Sequence, residues 1–192
     1  MTNYVYSNDL PNNLNLGLMV AIDTETMGLN PNRDRLCLVQ ISSGDGDAHL
    51  VQIFPDQKLP PNLCALLKNP DILKIFHFGR FDIAALYNRF NVLCNNVYCT
   101  KIASKLVRTF TDRHGLKNLL HELISIDVSK QLQSSDWGNS NLTEAQIDYA
   151  KSKQAGADFL EAAQGVYDRA VSIEDIGSSM PLPLKGLNTE VK

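Results

Sequence analysis

The chain has 192 residues, with a hydrophobic fraction of 44%, a charged fraction of 20% and a formal net charge of −3. That length fits one domain, or one domain and a tail, and buries roughly 70% of the surface its unfolded form exposes without help from disulfides or metals. The composition excludes chain-long disorder and fibrous repeats, and the low net charge excludes a strong basic footprint for long nucleic acid. The longest apolar runs, such as residues 16–22, fall far short of the ~20 residues that span a bilayer, so no membrane partner is expected. Met1-Thr2-Asn3-Tyr4 shows no basic region ahead of an apolar one, so no signal peptide is read. Cys37, Cys64, Cys94 and Cys99 form no CxxC pair and read as reduced thiols of a cytoplasmic protein.

In chain order, residues 17–25 are an apolar run ending in acids, which predicts a buried strand with carboxylates at its C-terminal end. Residues 35–42 and 48–53 predict two more strands, joined by the turn-forming stretch Ser43-Gly44-Asp45-Gly46-Asp47. The opening is therefore an antiparallel meander. Residues 60–69 predict a helix with Pro60 and Pro61 near its start, 72–76 a short buried strand, and 79–90 a helix with Ile83, Leu86, Tyr87 and Phe90 at 3–4 spacing. A short strand at 97–99 and helices at 101–108 and 116–124 follow. Thr143 predicts a helix cap, with Gln146 as its capping-box partner. Strands first, then strand–helix alternation, predict an α/β domain on a mixed central sheet flanked by helices.

Ile22-Asp23-Thr24-Glu25-Thr26-Met27-Gly28-Leu29 is the most informative stretch. Two acids one residue apart at a strand end share a face, because side chains alternate with period two. Convergent carboxylates repel unless a divalent cation lies between them. Such an ion also supplies positive charge locally, so a short nucleic-acid substrate stays open. Phe76-His77-Phe78-Gly79-Arg80-Phe81-Asp82 adds an acid in a first helical turn. Leu142-Thr143-Glu144-Ala145-Gln146-Ile147-Asp148-Tyr149-Ala150 adds a tyrosine in mid-helix.

Together with Asp112-Arg113-His114-Gly115-Leu116 and Ser134-Ser135-Asp136-Trp137, these segments resemble the DEDD superfamily of 3′–5′ exonucleases in its tyrosine branch. The pattern is ribonuclease D-like and most similar to the short nanoRNase C type, over about residues 16–152. The resemblance implies an RNase H-like fold, two Mg²⁺ or Mn²⁺ ions, and release of 5′-mononucleotides from short single-stranded RNA or dinucleotides. It implies that Asp23 bridges the ions, Glu25 holds the nucleophile-side ion, Asp82 acts through water or the second ion, and Tyr149 orients the attacking water. Leu29 matches a residue that wedges between terminal bases. Thr24, His77, Arg113, Lys130 and Ser135 are expected near substrate, and Lys101, Lys105 and Arg108 are weaker candidates for phosphate contact. Trp137 is read as a structural anchor. A homo-oligomer is left open, because the C-terminal segments of that type help to build its assembly.

The tyrosine branch carries a fourth carboxylate four residues after the tyrosine, one turn along the same helix face. Here that position is Lys153. Asp158 is a doubtful replacement ligand, lying on the opposite face and about 13 Å further along an unbroken helix. Four carboxylates and two divalent ions sum to zero, whereas three carboxylates and a lysine sum to −2, which one ion neutralises. One ion or none is therefore expected, with activity lowered by about three orders of magnitude. The alternative readings are a catalytically impaired nucleotide-binding paralogue and a truncated or frameshifted product. The expected organisation is an exonuclease domain at 1–152, a divergent helical segment at 153–177 and a flexible tail at 178–192.

Overall fold

Short apolar runs form the first strands, and the computed structural model carries them into one mixed sheet. It describes residues 2–30, 32–127, 132 and 135–153. Among the described residues are strands β1 (Asn3–Ser7), β2 (Met19–Thr26), β3 (Leu36–Ser42) and β4 (Ala48–Gln52), helix α1 (Pro61–Lys68), strand β5 (Leu73–Phe76), helix α2 (Arg80–Phe90) and strand β6 (Val97–Cys99). Helices α3 (Thr100–Val107), α4 (Leu116–Ile124) and α5 (Glu144–Lys153) follow. The sheet has six strands in the order β1-β4-β3-β2-β5-β6. β2, β3 and β4 form the expected antiparallel meander, and β5 and β6 join β2 in parallel.

Two elements differ from expectation. β1 was not anticipated: it pairs in parallel with β4, and its Tyr4 and Tyr6 rings stack with His49 of that strand. β2 starts at Met19 rather than residue 17, because Gly17 adopts φ 69°, a left-handed turn conformation that ends the preceding segment. The 154–177 part of the C-terminal segment and the 178–192 tail lie outside the described residues.

Both sheet faces are covered, which is why every residue of β3 and β4 is buried. On one face, Val20, Ile22, Val39, Ile41 and Val51 pack with Leu63 and Leu67 of α1 and Leu86 and Phe90 of α2. On the other, Leu38 and Leu50 pack with Trp137, Tyr149 and Ala150. The pleat of β2 therefore assigns its residues alternately to an α2 side and an α5 side.

Candidate active site

Asp23 and Glu25 stand near the carboxyl end of β2, a central strand between β3 and β5. By the pleat they share the face of Ala21, with Thr24 on the opposite, α2-facing side. Glu25 is buried, and the Gln40 side-chain amide of β3 donates to its Oε1 at 3.3 Å. Gln40 is itself buried and pairs across the ladder with Asp23, so one amide lies beside both acids. Sequence reasoning missed Gln40. Its one signal was an amide in the middle of an otherwise apolar strand, where a polar group needs a partner.

Asp82 lies in the first turn of α2, as expected, and is buried. β2 pairs with β5 only as far as Ala21, which leaves the following stretch of that strand edge open. Asp82 fills it: Thr24 donates its backbone N–H at 3.1 Å and its hydroxyl at 2.7 Å to Asp82 Oδ1. Thr24 is buried and its hydroxyl is given to Asp82, so it orients that carboxylate.

His77, just past β5, sits within hydrogen-bond distance of Thr100 Oγ1, at 2.9 Å from Nδ1. Thr100 donates to the Phe76 carbonyl at 3.2 Å, so His77 is the donor to Thr100, through Nδ1–H, and Nε2 carries the lone pair. Burial, with the Lys101 ammonium nearby, pulls its pKa down from the usual 6.5 to about 4. The imidazole is thus neutral at physiological pH.

Tyr149 is buried in α5 against Trp137, with ring centroids 6.0 Å apart, and in one cluster with Cys37 and Leu38. Leu38 is the ladder partner of Glu25, so the tyrosine reaches the sheet beside the acidic pair. Asp148, its neighbour, is exposed. The capping box forms as predicted: Thr143 Oγ1 accepts from the Gln146 N–H at 3.2 Å, and Gln146 Oε1 accepts from the Thr143 N–H at 2.9 Å. Gln146 also donates to Ser135 Oγ at 2.9 Å and to the Asp136 carbonyl at 3.0 Å. Ser135 is thereby fastened to α5.

Leu29 is 84% exposed, which removes core packing as its explanation. Arg113 is exposed in the 108–115 connection. Arg108 is fully buried, in an ion pair with Glu122 and a 3.1 Å bond to the Arg113 carbonyl. It is therefore a structural cation and not a phosphate contact. Lys130 and Asp158 lie outside the described residues.

The donor set is carboxylate oxygen, the chemistry that suits Mg²⁺ or Mn²⁺. Asp23 and Glu25 fit one such ion by sharing a face. Among the described residues, however, no three His, Cys, Asp or Glu side chains converge as a metal-holding group. Asp82 is held at the same strand end by its bonds to Thr24, the residue between the two acids.

Comparison with known proteins gives the family. Residues 3–152 match the family model described as 3′-5′ exonuclease. Brucella melitensis NrnC is 48% identical, with a TM-score of 0.76 over 92% of this chain and 95% of that one. A structure described as the apo form of the nuclease is 45% identical, with a TM-score of 0.86 over 92% of this chain and 85% of that one. The Brucella protein has also been solved bound to pGG and with bound Mg²⁺. Ribonuclease D of Granulibacter bethesdensis is 34% identical over 131 residues, 68% of this chain, which spans only 33% of that relative's length. The chain belongs to the 3′–5′ exonuclease family, as a ribonuclease D-like DEDD member of the nanoRNase C type with the RNase H-like mixed sheet. No helix among the described residues is long and apolar enough to cross a membrane.

Proposed function

We propose that the chain is a divalent-metal-dependent 3′–5′ exoribonuclease acting on short oligoribonucleotides or dinucleotides, with activity lowered by Lys153. The observation that carries this reading is the Thr24–Asp82 contact. It ties an acid 58 residues away to the residue between Asp23 and Glu25, as a site built on one strand end and one helix start requires. Asp23 and Glu25 would hold the cation, which supplies Lewis-acid stabilisation and an activated water when bound. Gln40 orients Glu25, and Thr24 orients Asp82. Tyr149 directs its hydroxyl at the attacking water, and Leu29 separates the terminal bases. Arg113, Lys130 and Ser135 line the substrate side. The exonuclease domain is residues 1–152, and a cytoplasmic location goes with its thiol content.

Lys153 favours a second reading, an impaired paralogue that holds nucleotide ends, since it stands where the family pattern has its fourth carboxylate. Hydrolysis of a 5′-labelled diribonucleotide with Mn²⁺ separates the two. Lys153→Asp should be at least a hundredfold faster than the unmodified chain, consistent with about 3 kcal/mol of transition-state stabilisation. Equal rates would refute impairment by Lys153. No hydrolysis by either would refute the exonuclease reading.

A further inference from the structure

His77 faces inward to Thr100, but the next residue turns the other way. Phe78 adopts φ 63°, a left-handed conformation that a bulky side chain enters only at a cost. Full burial does not offset that cost, because Phe78 is 49% exposed. The turn has little freedom to relax: a Cβ on the following Gly79 would come within 2.5 Å of Phe76 Cβ. The Lys101 ammonium lies 4.0 Å from the centroid of the Phe78 ring. Lys101 is the second residue of α3, and the bond of Thr100, its first, to the Phe76 carbonyl ties that helix start to the end of β5.

Phe78 and Lys101 follow the carboxyl ends of the parallel strands β5 and β6. Two residues past the last β2–β5 pair, Ala21↔Ile75, the chain reaches Asp23 in β2 and His77 just past β5. The aromatic and the cation therefore stand at the same end of the sheet as the acidic pair, where open α/β sheets bind ligands. With the ammonium over one ring face, an exposed aromatic keeps its other face for a nucleobase and a cation near the phosphate.

We propose that Phe78 is a stacking platform for a nucleobase of the substrate, with Lys101 meeting the adjacent phosphate. This rests on the exonuclease reading of the site. The test is equilibrium binding, by the full chain with Mn²⁺, of a 5′-phosphorylated dinucleotide carrying 2-aminopurine and a non-hydrolysable methylphosphonate link. Phe78→Gly should weaken binding about ten- to hundredfold and lose the 2-aminopurine quench. The same variant should melt ~2–4 °C higher, since glycine takes the left-handed conformation freely. Phe78→Trp should keep binding and quench. Lys101→Gln should weaken binding and reduce its salt slope by about one. Unchanged binding and quench in Phe78→Gly, with the unmodified chain binding well, overturns the platform alone. A fall in melting temperature with the loss of binding would make Phe78 structural and also overturn it. No binding by the unmodified chain would refute the nuclease reading together with the proposal.

Discussion

The acids at the site were legible in the sequence because each stands in a short, specific pattern, whereas their supports were not. Gln40 and Thr100 gain meaning only when β3 and α3 bring them to Glu25 and His77. The bond from Thr24 to Asp82 is hidden in the same way, because sequence spacing does not reveal that β5 stops pairing at Ala21. The neutral state of His77 was equally hidden, and it has a consequence for stability. The folded chain keeps this imidazole unprotonated down to about 4, while the unfolded chain takes up a proton near 6.5. Between those values the unfolded state binds more protons. The His77 contribution is therefore complete above about pH 6.5 and is lost as pH falls towards 4. It amounts to about 3 kcal/mol, at ~1.36 kcal/mol for each unit of pKa. The buried His49, also pulled down by burial, acts in the same direction. Urea midpoints from pH 4 to 7 should show stability rising steeply with pH, and His77→Gln should flatten that rise. A slope unaffected by the replacement would remove His77 as its source.

Among the elements, those with a strong period or a paired cap signal were the readable ones. The β2–β4 meander lies within a few residues of expectation because its strands are apolar runs bounded by turn residues, and α1, α2 and α4 because apolar positions recur at the helix period. β1 escaped because Asn-Tyr-Val-Tyr-Ser is short, and its partner β4 lies more than forty residues on. The α5 start shows how much one cap can carry. Thr143→Ala removes one capping acceptor and should cost about 1 kcal/mol. Gln146→Ala should cost more, about 2–3 kcal/mol, because the same buried amide also fastens Ser135 and the Asp136 carbonyl. The two losses should be less than additive, since both variants break the reciprocal Thr143–Gln146 bonds. Chemical denaturation of the two single variants and the double variant measures this directly. Full additivity would mean that the capping box contributes nothing as a unit.

At the scale of the molecule, the sheet order puts two carboxylates on a central strand that both neighbours hold in place. That arrangement concentrates like charge where a fold gains least from it, so the acids should cost stability until a cation arrives. Asp23→Asn should therefore raise the melting temperature in a chelator. In Mn²⁺ the order should reverse. A ligand that binds only the folded chain stabilises it by about 2.7 kcal/mol at a hundred times its dissociation constant, or several degrees for a domain of this size. The unmodified chain should gain from Mn²⁺, Lys153→Asp should gain more, and Asp23→Asn should gain nothing. The three melts separate a fold that keeps its metal site from one that has lost it. If Mn²⁺ stabilises Lys153→Asp alone, the lysine charge itself keeps the ion out, and the impairment begins at metal binding. If it stabilises the unmodified chain equally, the first ion binds through Asp23 and Glu25 regardless of position 153, and the lysine acts only on the chemical step.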